Sequence, residues 1–158
     1  MRGLVSALAA ACFLGLSPGA AGDGYESKPE LAARDPDYAA GKKAIEEKRW
    51  EEAIEHLGKA AVRDPDNPDL QNWIGYSNRK LAKYDLAFKH YKRAIELDPR
   101  HRGAHEYIGE TYLLVGDVAS AEKHLAALRE ICLLPCEELG DLEKAVAEYR
   151  RKTGKQAR

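Results

Sequence analysis

Residues 68–101 read PDLQNWIGYSNRKLAKYDLAFKHYKRAIELDPRH, and this stretch decides the fold. Its apolar residues return at three- and four-residue intervals, as an amphipathic helix requires, and Asp98-Pro99 ends the second helical run. The pattern recurs in both directions at a spacing of 34 residues. Gly75 is matched by Gly41 and Gly109, Ala87 by Ala53 and Ala121, and Pro99 by Pro65. With the glycines at repeat position 8, the units are 34–67, 68–101 and 102–135, and they abut without a gap. The periodicity predicts helices over 36–47, 51–63, 68–81, 85–97, 102–115 and 118–131. No stretch alternates with period two, so no sheet is expected.

A unit of this length, with Gly at position 8, Ala at position 20 and Asp-Pro after its second helix, resembles the tetratricopeptide repeat. Position 7 (Ala40, Ile74, Ile108), position 24 (Leu57, Tyr91, Leu125) and position 27 (Ala60, Ala94, Leu128) fit the same signature. Small residues at positions 8 and 20 let the two helices of a unit approach closely. The sequence departs from the signature at position 4, where Asp37, Gln71 and His105 replace an aromatic, at Asn78, and at Leu133 where Pro is expected. Tyr38 and Trp73 stand beside the missing aromatics. The resemblance implies an all-α fold, a right-handed helical-repeat solenoid of three helix-turn-helix units whose curved faces bind other proteins.

A seventh helix is expected over 136–151, opened by Pro135 and by Glu137 and Glu138 in its first turn. Leu139, Leu142, Val146 and Tyr149 form one apolar stripe that would cap the third repeat, with Asp141, Glu143, Lys144 and Glu148 toward water. The remaining 152–158 reads as a basic tail whose cations suit a helix C-terminus.

Residues 1–22 have the layout of a secretory signal peptide: Arg2, an apolar run from Gly3 to Leu16, then small residues up to Gly22. The run is too short for a permanent bilayer anchor, which predicts export, with the bacterial periplasm as the expected compartment, and a flexible segment over 23–33. A lipoprotein form cut before Cys12 is disfavoured, because it would leave too short an apolar signal. Cleavage would remove Arg2 and no acid, changing the formal charge from −1 to −2. That balance argues against non-specific nucleic-acid binding. Cys132 and Cys136 would remain, flanking the join between repeats and cap, and they can pair in an oxidising compartment. Catalytic redox chemistry is the weaker reading, since the spacing is not Cys-X-X-Cys.

By the family resemblance, positions 2, 5, 9, 12 and 13 of each unit line a concave groove. The groove residues so implied include Tyr38 and Lys42, then Asn72, Tyr76, Arg79 and Lys80, then Glu106 and Glu110. Lys42, Arg79 and Lys80 would make one half basic, and the two glutamates the far end acidic. The resemblance also implies a test for the carboxylate clamp of chaperone adaptors, whose slots here hold Tyr38, Lys42, Tyr76, Glu106 and Glu110. That clamp is absent, so acidic C-terminal tails are not the expected ligand. An extended protein or peptide segment with an acidic and a basic stretch is expected instead.

His56, His90 and His124 share repeat position 23, a layer apart from one another and so unable to share a metal ion. They are expected at the edges of the second helices. His101 and His105 are spaced by four residues without the zinc-protease glutamate between them. No phosphate loop, nucleophile elbow or haem-attachment motif occurs, and neither enzyme activity, a metal nor a cofactor is expected. The sequence therefore points to an exported interaction scaffold. A dedicated subunit or assembly factor of an envelope complex, or a self-associating protein, stays open beside it, although a monomer is the simplest expectation.

Overall fold

Seven helices follow one another in the computed structural model, which describes residues 35–156; the expected signal at 1–22 with Cys12, the segment 23–33 and residues 157–158 lie outside the described residues. They are α1 (Pro36–Glu46), α2 (Trp50–Arg63), α3 (Pro68–Lys80), α4 (Tyr84–Leu97), α5 (Arg102–Leu114), α6 (Val118–Ile131) and α7 (Glu137–Gln156). No strand occurs among the described residues. The helices pair as α1/α2, α3/α4 and α5/α6, and α7 packs on α5 and α6. The fold is a helical-repeat solenoid.

Local chemistry sets the helix starts. Asp35 accepts from the amides of Asp37 and Tyr38 at 2.8 and 3.1 Å, and Pro36 follows it at a position with no amide to satisfy. Asn67 and Pro68 do the same for α3. In the third unit His101 takes this role, its Nδ1 accepting from the Ala104 amide at 3.0 Å.

Each inner turn uses one residue in the left-handed region, at the same repeat position: Lys48 (φ 58°), Ala82 (φ 57°) and Gly116 (φ 85°). The next amide reaches back to close the turn, from Arg49, Lys83 and Asp117 to the carbonyls of Ala44, Asn78 and Tyr112 at 2.8, 2.9 and 2.9 Å. Only the third unit supplies glycine, the residue that adopts this conformation without steric cost.

The core is a stack of small layers. Ala44, Ala53, Leu57, Ala60, Leu70 and Ile74 form the first, Ala87, Tyr91 and Ile108 the second, and Leu113, Ala121, Leu125, Leu128, Leu142 and Val146 the last. The repeated glycines sit where these layers are tightest. A Cβ on Gly41 would lie 2.5 Å from Leu57 Cγ, and one on Gly75 2.7 Å from the Tyr91 ring. At Gly109 the nearest neighbour is not Leu125 of the same unit but Leu142 of α7, at 2.7 Å. The third glycine thus admits the capping helix.

α7 runs on to Gln156, past the end expected at 151, so that most of the predicted basic tail is helical. No proline interrupts it, Thr153 bonds back to the Tyr149 carbonyl at 3.0 Å, and Arg150 donates to Glu122 of α6. Among the described residues, no helix is long and apolar enough to cross a membrane.

Candidate partner-binding groove

The first helices of the three units carry the side chains expected to line one groove, and aromatic rings from α2, α3 and α5 form a row. Trp50 meets Tyr76 edge-on at 6.0 Å, Tyr76 lies 5.9 Å from Trp73 and 5.0 Å from Tyr107, and Trp73 lies 6.2 Å from Tyr107. All four rings are half-buried. Trp73 and Tyr107 occupy the same repeat position, 6, in successive units. That recurrence is the signal by which the sequence could have added Tyr107 to the site.

The basic side chains expected to give the groove a free positive half are largely engaged. Lys42 Nζ lies 3.2 Å above the Trp73 ring, and Lys80 Nζ 5.1 Å from Tyr76. Arg79, with its side chain 11% exposed, donates to Glu110 and sits 5.2 Å from both Tyr76 and Tyr107. The expected basic and acidic halves are bridged at one point, where Arg79 of the first meets Glu110 of the second. Arg79 and Glu110 neutralise each other from adjacent repeats, because the twist of the stack brings their helices together across 31 residues of sequence. Tyr38 stays beside the first core layer.

Asn72 and Glu106 come together elsewhere, at a cavity of about 290 Å³ between α3, α5 and α7. Asn72 and Trp73 line it from α3, Glu106 and Tyr107 from α5, Glu138 and Asp141 from α7. Asn72 is 2% exposed, and its Oδ1 has no hydrogen-bond partner. Glu106 is 8% exposed and makes no ion pair among the described residues. Burial, and then the carboxylates of Glu110, Asp141 and Glu138, push its pKa up to about 8, although Arg79 opposes them. Asp69 at the rim is held low by a 3.1 Å contact with His101 Nε2.

The position-23 histidines have partners that the helical period did not reveal. Each reaches position 4 of its own unit: His56 Nδ1 to Asp37 Oδ1 at 2.8 Å, His90 Nδ1 to Gln71 Oε1 at 2.8 Å, and His124 Nδ1 to His105 Nδ1 at 3.0 Å. The polar residues that replace the family aromatic are thus matched by a polar residue across the hairpin. His101 and His105 face different neighbours, Asp69 and His124. Among the described residues no three His, Cys, Asp or Glu side chains gather closely enough to hold a metal ion. Cys132 and Cys136 face each other between α6 and α7, Cα to Cα 6.0 Å, a separation a disulfide can span, with Leu133 and Leu134 in the loop 87% and 80% exposed.

Stacked helix hairpins with glycines at their close approaches define a helical-repeat solenoid. A tetratricopeptide repeat profile matches residues 38–99 and 75–132, and the chain belongs to that family. Its fold is similar to the TPR2B domain of yeast Sti1 in its pHsp70 complex (18% identity, TM-score 0.70, covering 77% of this chain and 98% of that one). It is similar to the type III secretion translocator chaperone SycD of Yersinia enterocolitica (18%, 0.67, 83% and 98%). The second TPR domain of human RPAP3, with an HSP70 peptide, is a third such structure (22%, 0.63, 74% and 97%). No curated protein sequence matches the chain.

Proposed function

We propose that this protein is an exported interaction scaffold that holds an extended partner segment in its concave groove. The observation that carries the reading is the half-buried row of Trp50, Tyr76, Trp73 and Tyr107, which offers aromatic surface flanked by Lys42, Arg79 and Lys80 to a chain lying across three repeats. Such rings are the side chains that dominate binding energy at interfaces. Peptides accompany similar solenoids: an HSP70 peptide with RPAP3, and a peptide of the translocator YopD with SycD. The HSP70 peptide SGPTIEEVD is acidic at its end. Here Glu106 and Glu110 stand in slots where a carboxylate clamp needs cations, so a different class of segment is selected.

Export is read from residues 1–22, and an oxidising compartment agrees with the Cys132–Cys136 bond. A second reading, association through the cap as a subunit of a larger complex, is favoured by the exposed Leu133-Leu134 pair alone. A photo-crosslinking residue at Tyr76, compared with one at exposed Lys92 on α4, tests the groove in intact cells. Adducts from Tyr76 and none from Lys92 support it. Adducts from Lys92 alone, or from Leu133 alone, move the partner to another face.

A further inference from the structure

The cavity between α3, α5 and α7 holds more negative charge than its neighbours balance. Asp69 is matched by His101 at 3.1 Å, and Glu138 has Arg102 Nε at 3.6 Å. Glu106, Glu137 and Asp141 make no ion pair among the described residues, yet all three line the cavity. Carboxylates alone would not make it a site, since acids on a solvated helix face are common. The second observation is the burial of Glu106: its side chain is more than nine-tenths buried, has no ion-pair partner among the described residues, and lines the cavity. A buried carboxylate without a partner is costly, and the cavity is the space beside it in which a cation could relieve that cost.

The occupant's chemistry follows from the walls. It must carry positive charge and N–H donors for Glu106 and Asp141, and a flat or apolar stem for Trp73 and Tyr107. A metal ion fits poorly, because no three ligating side chains converge. The volume of about 290 Å³ lies at or below the ~300–1,000 Å³ of clefts that hold whole drug-sized ligands, and suits one inserted side chain.

We propose that this cavity takes the basic side chain, Arg or Lys, of the extended partner segment, with Glu106 and Asp141 accepting its N–H groups. The proposal rests on the groove reading above and names what anchors the segment. It also gives the buried Glu106 a purpose. Held protonated when the cavity is empty, Glu106 ionises when a cation enters and loses its proton to solvent. The charged groups facing it are Glu110 on its own helix, Glu138 and Asp141 on α7, and Arg79 on α3.

Titration of the protein with N-acetyl-arginine amide and N-acetyl-lysine amide, followed by proton–nitrogen correlation spectra, tests the anchor, with N-acetyl-citrulline amide as the uncharged isostere. The expected result is saturable movement of the Asn72 side-chain amide and the Trp73 indole signals with the cations. Citrulline should bind at least fivefold more weakly. Asp141→Asn and Glu106→Gln should each weaken the cation at least threefold, in proteins whose circular dichroism matches the parent. Equal response to arginine and citrulline amides would overturn the proposal, as would the same signals moving with calcium chloride while arginine amide leaves them still. If Tyr76 crosslinks a partner but no cation is bound, the groove stands and the anchor falls; if the cation binds but Tyr76 yields no adduct, the groove reading fails independently.

Discussion

His105 Nδ1 lies 3.0 Å from His124 Nδ1, so one hydrogen bond joins two imidazoles that can share only one proton between them. His105 Nε2 faces the Pro99 carbonyl at 3.1 Å and must donate there, which leaves its Nδ1 as acceptor and His124 Nδ1 as donor. Protonating both rings would set N–H against N–H. Burial first, and then His105, push the His124 pKa down to about 4, and burial lowers His105 as well.

The unfolded chain takes up these protons near pH 6.5 and the folded chain only at lower pH, so the pair contributes stability that is complete above about pH 6.5 and is lost as pH falls toward 4. Urea denaturation at pH 7 and pH 5 should show a loss on the order of 2 kcal/mol. His105→Gln, which recreates the Gln71–His90 pairing of the second unit, should remove the share of that slope due to His105 and leave the share that burial gives His124. An unchanged slope would assign it to other groups.

Glu106 acts in the opposite direction. Its folded pKa of about 8 stands above the ordinary 4.5, so its contribution is complete below pH 4.5 and is lost as pH rises through 8. Glu106→Gln should therefore raise stability at pH 8.5 by about 1–3 kcal/mol, the cost of ionising an unpaired buried group, and change it little at pH 4.5. Equal effects at both pH values would show that Glu106 is already ionised in the folded state.

Two glycines with different surroundings give opposite expectations for the same substitution. Gly75→Ala places a methyl 2.7 Å from the Tyr91 ring and should destabilise by about 1–3 kcal/mol. Gly58, inside α2, has nothing within 4 Å of the added carbon, and Gly58→Ala should stabilise by about 0.5–1 kcal/mol. Thermal melts of the two variants measure both, and loss of stability in each would mean that the hairpin spacing is set elsewhere.

The inner turns predict a third contrast. Lys48→Gly and Ala82→Gly should each stabilise by up to about 1 kcal/mol, since these residues hold φ of 58° and 57°, whereas Gly116→Ala should destabilise by a similar amount. Guanidinium midpoints read all three.

Replacing Cys132 with Ser opens a five-residue loop and should cost about 2 kcal/mol by chain entropy. The readout of interest is local: amide exchange should quicken first in Glu137–Gly140, at the start of α7, and leave α1 unaffected. Uniform quickening would mean that the bond sustains the whole solenoid.

What could be read from the sequence followed the period, and what could not lay across it. The register located the six repeat helices to within about one residue at each end, because caps and apolar spacing are local. It also anticipated that the helices approach closely at Gly41 and Gly75, although the residues met there are Leu57 and Tyr91 of position 24 and not the alanines of position 20. It missed Leu142 as the neighbour of Gly109, since α7 has no place in the repeat numbering. The Arg79–Glu110 pair was hidden for a related reason: the contact joins different units, and its geometry depends on the superhelical twist. The histidine contacts span a constant 19 residues three times over, so a search for paired polar positions within the unit would have found them.

Leu142 and Asp141 are neighbours in sequence with separate duties, one closing on Gly109 and the other bordering the acidic cavity. On the proposed anchoring of a basic side chain, selectivity would reside at the terminus of the array. Appending a fourth hairpin in place of α7 would preserve the architecture while erasing the cavity's acidic wall, so lengthening such an array and retargeting it become the same evolutionary step.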